Sequence, residues 1–347
     1  MNKILTIIIP TYNMEKYLRR CLDSLIIDEE EMKQLEVLVI NDGSKDSSSQ
    51  IAHEYQDKYP DTYRVIDKEN GNYGSCINRG LKEATGKYVK VLDADDWFDT
   101  KALATVVNNI SEIDVDLVLT SFNEVTPEGD LLNKRQLRHF PSNQKVLFAD
   151  YCVNPYNLIR MHSVIYHRKL LVDIKYTQSE GISYTDMQWV FSPMAYVKTA
   201  IHYPLYLYQY MLGREGQTMD PEVVKKNFDQ LMKMIEGMIK AYITTIPFCD
   251  NNHKNYLDLT LKIQLHNCYR MGLLEKAIPN ADISCFDESI VCANKTILDL
   301  SSSILIGNSC KFHYVKYWRD KGRIPLPTFL MVPWKILKIL QIIKSKL

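Results

Sequence analysis

The feature that most constrains this chain is an alternation that repeats through its first 125 residues. Short β-branched apolar runs each end in a polar cluster, and an amphipathic stretch follows. Ile4–Pro10 (ILTIIIP) reads as a buried strand ended by proline. Glu36–Asn41 (EVLVIN) is a second, closed by Asp42, Gly43 and Ser44. Tyr63–Asp67 is a third. Tyr88–Leu92 (YVKVL) is a fourth and runs straight into Asp93, Ala94, Asp95 and Asp96. Tyr17–Ile27, Ser75–Thr85 and Lys101–Ile110 carry helical spacing between them, and Asp116–Phe122 reads as a further strand. Strands alternating with helices predict an α/β fold with a mixed, mostly parallel sheet covered by helices on both faces. Such sheets bind ligands at the carboxyl ends of their strands. The chain's unusual polar clusters all fall there.

Beyond the alternation, Thr126–Asn157 lacks clear periodicity and reads as loops over the sheet. Tyr184–Tyr196 looks helical, and Ile201–Tyr210 reads as a strand. From Pro221 onward, Val224, Phe228, Leu231, Ile235, Met238, Ile239 and Tyr242 follow helical spacing. The expected division is therefore an α/β domain over 1–220 and a helical C-terminal region over 221–347. With 46% apolar residues in a 347-residue chain, a sizeable core can be buried. Lysine plus arginine and aspartate plus glutamate balance at 42 each, so nucleic acid is not an expected partner. The eight cysteines form no Cys-x-x-Cys pair and match no zinc spacing. They fit free thiols in a reducing, cytoplasmic setting. Ile4–Pro10 is too short for a signal core, and no run reaches the roughly 18 apolar residues that span a bilayer.

Five clusters can carry chemistry, and each also has an ordinary structural reading. Pro10, Thr11, Tyr12, Asn13, Met14 and Glu15 follow the first strand, where a base or phosphate can sit, or where a turn and helix cap would suffice. Asp42 can accept from a base N–H, although Asp-Gly is also a common turn pair. Asp93, Asp95 and Asp96 crowd three carboxylates into four positions, which repel unless a cation lies among them. Mg²⁺ or Mn²⁺ would take those oxygens and share them with phosphates; the alternative is a solvated acidic turn. Asp186, at a helix start, is either a cap or a general base. Arg214 lies in a loop with Gly213, Gly216 and Gln217, where its guanidinium could fork onto a phosphate, or where the loop simply joins two domains.

Taken together these clusters resemble family 2 glycosyltransferases of the GT-A fold. The matching stretches are TIIIPTYNMEKYLRRCLDSL, VLVINDGSKDSS and ENGNYGSCINRGLKEATGKYVKVLDADDWF, in the family's order and spacing. The resemblance is strong over about residues 4–122 and looser to about 219. It implies a GT-A, Rossmann-like catalytic domain that binds a nucleotide sugar through Pro10, Thr11, Tyr12, Glu15, Asp42, Gly74, Asn78, Asp93, Ala94, Arg214 and Gln217. Asp42 would meet the base, most often uracil. Asp93 and Asp95 match the first and third positions of the Asp-x-Asp motif and would hold Mn²⁺ or Mg²⁺. Asp186 matches the catalytic base, usually written Glu-Asp; here the first carboxylate is Thr185. The family's usual arginine before the glycine matching Gly80 is replaced by Ile77. No Gln-x-x-Arg-Trp is found, which favours single-sugar addition over processive polymerisation.

The reaction so implied is an in-line displacement that inverts the anomeric centre. A sugar would pass from a UDP-sugar to a saccharide or lipid-linked acceptor in cell-surface polysaccharide synthesis. Two other readings of the residues are a sugar-phosphate nucleotidyltransferase and a non-catalytic nucleotide-sugar or glycan binder. The first normally has a glycine-rich loop after strand one, and Pro10–Tyr17 has no glycine. The last stretch, Pro333–Leu347 (PWKILKILQIIKSKL), is amphipathic and lysine-flanked. It suits either a helix on the inner face of the plasma membrane or one docked on its own domain.

Overall fold

The computed structural model describes residues 3–154, 158–213, 221–292, 294–306 and 312–327. They fall into two compact units. One comprises Met1–Thr218 with Thr245–Asn255, the other Met219–Thr244 with Tyr256–Leu347.

The first unit is built on one mixed sheet. Its strands are β1 (Leu5–Thr11), β2 (Leu35–Asn41), β3 (Tyr63–Asp67), β4 (Tyr88–Val91), β5 (Trp97–Phe98), β6 (Leu117–Val125), β7 (Leu131–Arg135), β8 (Lys145–Leu147), β9 (Val164–His167) and β10 (Thr199–Met211). The path through it is β3-β2-β1-β4-β9-β6-β10-β5, with β7 on β6 and β8 on β10. The half from β3 to β4 is parallel, as is the β6–β10 pair. β9 runs antiparallel to both its neighbours, β4 and β6. All seven residues of β1 and of β2 are buried, as expected of strands covered on both faces.

The helices of this unit are α1 (Leu18–Asp23), α2 (Glu29–Met32), α3 (Ser48–Lys58), α4 (Asn72–Glu83), α5 (Thr100–Ser111), α6 (Arg168–Asp173) and α7 (Asp186–Trp189). Asp99 caps α5, its side chain accepting from the Ala102 amide at 2.8 Å. α4 lies close on the sheet because Gly80 has no side chain: a Cβ there would stand 2.5 Å from Ile8 Cγ2. Thr6 and Glu36 join β1, β2 and the turn before β4. Glu36 Oε2 accepts from Thr6 Oγ1 at 2.6 Å and from the Thr85 amide at 2.8 Å.

Some sequence expectations need correction. Thr126–Asn157 is not all loop, since it contains β7 and β8. All five residues of β7 are exposed, so no apolar alternation marks it. β5 and β9 are two and four residues long, too short to show a period. The single helix expected over Tyr184–Tyr196 is broken into α7 and a 3₁₀ turn at Ser192–Tyr196, with Pro193 near the start of the latter.

The second unit is helical, with α8 (Pro221–Lys226), most of α9 (Phe228–Thr245) and α10 (Asn251–Tyr269), α11 (Asn280–Phe286), α12 (Lys295–Ser302) and α13 (Tyr314–Asp320). Its buried polar centre is Asp287. Arg319 Nε donates to Asp287 Oδ1 at 2.9 Å, Arg323 Nε to Oδ2 at 2.9 Å, and the Tyr269 hydroxyl to Oδ1 at 2.6 Å. Among the described residues no helix is long and apolar enough to cross a membrane. Pro333–Leu347 lies outside them.

Candidate active site

β2, β1 and β4 are adjacent and parallel, so their carboxyl ends form one edge. Thr11 closes β1, and Asp42 and Asp93 leave the ends of β2 and β4. Asp42 and Asp93 thus emerge about two strand spacings apart, roughly 10 Å.

Asp42 is buried and already anchored. Its Oδ1 accepts from the Gly71 amide at 3.0 Å and from the Lys68 ammonium. Lys68 also donates to the Glu69 carbonyl at 2.6 Å and to Ser75 Oγ at 2.9 Å. Asn70 Nδ2 donates to the Asp42 carbonyl at 3.0 Å. The loop after β1 is laced to the loop after β2. Asn13 Oδ1 accepts from the Lys45 amide, Ser48 Oγ from Met14, Asp46 Oδ2 from Glu15, and Glu15 Oε2 from Ser47. Pro10 and Thr11 are buried, and Thr11 Oγ1 turns back to the Ile9 carbonyl at 3.2 Å. Tyr12 stands 46% exposed beside them. Lys68 gave no signal in the sequence, where it reads as an ordinary charged turn residue.

At the exit of β4, Ala94 is buried and the three carboxylates differ. Asp93 accepts from the Tyr73 hydroxyl at 2.7 Å. Asp96 turns inward, accepting from the Tyr208 hydroxyl and the Met211 amide, both at 2.7 Å. Burial, then Asp95 and Asp93, push the Asp96 carboxyl well above the usual carboxylate range. Beneath them Lys90 is wholly buried in β4. Its Nζ donates to the His162 carbonyl at 2.8 Å and the Val164 carbonyl at 3.3 Å, and burial pushes its pKa down to about 7. His162 stacks on Tyr210 with ring centroids 4.2 Å apart. Burial, with Arg160 and Lys90 nearby, pushes its pKa down to about 3.

Asp186 begins α7, with Thr185 at the cap position, so it is the first helical residue rather than the cap. Burial raises its carboxyl above the ordinary value, opposed by the amides of Met187 and Asp186 and by Arg160. Asp93, Asp186 and Asp96 all act on the buried Tyr73 hydroxyl, and the same three with Asp95 act on Tyr210. The carboxylates at the exit of β4 and at the start of α7 thus lie within electrostatic reach of the same two phenols.

Two expected donor-binding positions have a structural use as well. Gly74 lets α4 approach the Ser179 carbonyl, where a Cβ would stand 2.0 Å away. Asn78 spends its amide on Gln178 and Glu180. Arg214 and Gln217 lie outside the described residues. Ile77, in the usual arginine position, is buried in the core.

The residues present fit a divalent cation. Asp93, Asp96 and His162 each offer one ligand atom, all within 4.8 Å of one another. His162 Nδ1 is buried and has no hydrogen-bond partner. A neutral imidazole with carboxylate oxygens is a donor set that Mn²⁺ accepts. Asp95, expected beside Asp93, stands outside this close group although it is buried nearby. Asp96 could have been picked from the acidic run; nothing in the sequence pointed to His162.

Comparison with known proteins agrees with this geometry. Residues 6–171 match the Glycosyl transferase family 2 model. The chain is 38% identical over 125 residues to glycosyltransferase GlyA of Streptococcus pneumoniae, covering 35% of this chain but only 17% of that protein. It is 30% identical over 341 residues to the uncharacterized glycosyltransferase YibD of Escherichia coli, covering 92% of this chain and 94% of that one. In fold it resembles residues 1–349 of S. aureus TarS, solved in complex with UDP-GlcNAc, with a TM-score of 0.63 and 20% identity over 92% of each chain. The strand-end site, the fold and the near full-length relative lead to one conclusion: this chain belongs to glycosyltransferase family 2.

Proposed function

We propose that the chain transfers a sugar, with inversion, from a UDP-sugar to the hydroxyl of a saccharide or lipid-linked acceptor in cell-surface polysaccharide synthesis. The observation that carries this reading is the cluster at the exit of β4, where Asp93, Asp96 and His162 bring one ligand atom each within 4.8 Å of one another. Asp186 acts electrostatically on the Tyr73 hydroxyl from which Asp93 accepts, which supports its reading as the base.

Asp42, with its anchored carboxylate, would receive a base N–H, and Tyr12 would cover the base. Asp93 would hold the cation with Asp95, or with Asp96 and His162. Such a cation neutralises charge growing on the leaving diphosphate. Asp186 takes the proton of the attacking hydroxyl. Its raised pKa suits that role, and a positioned base contributes about 10²–10⁴-fold. The C–O bond to the acceptor forms as the bond to the diphosphate breaks, so one base is enough. Arg214 and Gln217 keep their proposed diphosphate roles from the sequence alone. The Pro333–Leu347 sequence supports peripheral membrane contact, and pelleting of the full chain against one ending at Pro325 tests it.

Asp186→Asn tests the main reading. Turnover of donor should fall by about 10²-fold or more while UDP binding with Mn²⁺ is kept. Near-normal turnover would remove Asp186 from the mechanism.

A further inference from the structure

We infer that Asn78 is the positioning residue for the catalytic base: it fixes the segment 176–189 on α4 so that Asp186 stands at the site. The inference rests on the reading of Asp186 as that base.

Asn78 lies on the second turn of α4 and treats residue 178 as a strand partner would. Its Oδ1 accepts from the Gln178 amide at 2.8 Å, and its Nδ2 donates to the Gln178 carbonyl at 3.0 Å. The second Nδ2 hydrogen reaches Glu180 Oε1 at 2.8 Å. Donors and acceptor are therefore engaged with one short stretch of chain. The approach is close because Gly74, one turn earlier, presents no side chain to the Ser179 carbonyl. Farther along, the Gly181 amide donates to the Gly71 carbonyl at 2.9 Å.

The held stretch grips Asp186 from both sides. Gln178 Oε1 accepts from Thr185 Oγ1 at 2.8 Å, on the residue just before the base. Gln178 Nε2 donates to the Tyr176 hydroxyl at 3.1 Å, which fixes the amide's orientation. The Ser179 amide donates to Gln188 Oε1 at 2.9 Å, and Gln188 Nε2 donates to Ser179 Oγ at 2.9 Å, two residues after the base. α7 has only four residues and no side-chain cap, so its own hydrogen bonds cannot set its orientation. The paired amides supply what the short helix lacks. The start of α4 also carries Tyr73 in its first turn, bonded to Asp93, and Gly71 at the cap position just before it, bonded to Asp42. One helix end thus holds the three aspartates in a common frame.

Positioning and donor binding predict different kinetics. A displacement of about 1 Å costs roughly 10²-fold in rate without touching the donor. Turnover is read as UDP released from the UDP-sugar that most raises the melting temperature with Mn²⁺, and donor affinity is read by titration. Asn78→Ala should lower kcat by about 10²-fold with donor affinity unchanged. In the Asp186→Asn background the same change should cost nothing further, because the group it positions is already gone. Thr185→Val, which keeps the shape and loses only the bond to Gln178, should show the same pattern more weakly and serves if Asn78→Ala does not fold. Weakened donor affinity with kcat kept would make Asn78 a donor ligand and overturn the inference. So would losses that multiply in the double variant. Asp186→Asn with normal turnover would instead remove the base itself, an outcome visible before any Asn78 variant is measured.

Discussion

Asp96 and Asp287 are equally buried, 1% and 0% exposed, yet their surroundings drive them in opposite directions. Asp287, in the helical unit, faces two guanidinium groups and a phenol. Those partners outweigh burial and hold its carboxyl below the ordinary value. Asp96, at the sheet edge, bonds to a phenol and an amide, with Asp95 and Asp93 at its side, and is pushed well above it. Burial alone does not set the charge of a carboxylate; the partner does. A buried acid that owns its arginines is a structural unit. One that is crowded by other acids awaits a charge from outside.

The comparison can be broken most directly at Asp287. Asp287→Asn leaves the buried Arg319 without its counter-charge and Arg323 with only Glu288, at 3.5 Å, and stability should fall by about 3–5 kcal/mol in urea unfolding. A loss as small as that for a surface residue would show that the arginines find solvent easily.

Lys90 asks whether a cation under the acidic cluster already serves it. Its proton affinity is lowered by burial alone, and its ammonium bonds to carbonyls rather than to Asp96. The folded chain then binds fewer protons at this group than the unfolded chain between pH of about 7 and the free-lysine value near 10.4. Stability should therefore rise with pH across that window, by up to a few kcal/mol, and Lys90→Met should flatten the rise. Melting curves from pH 7 to about 10 read it directly. A slope of opposite sign would mean that Lys90 is paired with the carboxylates.

Mn²⁺ should raise the melting temperature, with a stabilisation of about 2.7 kcal/mol at a hundredfold excess over Kd. Asp93→Ala should abolish that gain, and EDTA should reverse it in the parent chain. A gain that survives in Asp93→Ala but disappears in His162→Ala would move the cation off the acidic run. The smallest effect belongs to Asp96→Asn. The amide keeps the carboxyl's shape and removes its repulsion with Asp95 and Asp93, so without metal the change should cost only about 1 kcal/mol, the worth of one altered hydrogen bond.

Much of the first unit was legible because fully buried parallel strands leave unbroken β-branched runs. Leu5–Thr11 and Leu35–Asn41 are such runs, and each ends at a polar cluster. What stayed hidden depends on contacts far apart in sequence. Lys90 sits mid-strand in YVKVL, where a lysine suggests a solvent-facing position, yet the carbonyls of Val164 in β9 and of His162 in the turn before it satisfy its ammonium. His162 joins the acidic cluster only because β9 is inserted antiparallel beside β4. Asn78 reads as a donor contact by its motif, and only the fold brings residues 178–180 against it. The acidic run marked the site, while the identity of Asp93's nearest companions was set by tertiary packing.

The lacing of the loops after β1 and β2 has a further consequence. Asn13, Glu15, Asp46 and Ser48 spend their side chains on backbone amides of the facing loop, so this strand-end floor is rigid beforehand. Little ordering entropy then remains to be lost on association, and affinity is gained without any additional contact. Amide protons at Met14, Glu15, Lys45 and Ser47 should exchange slowly in the ligand-free protein, and barely more slowly once nucleotide arrives.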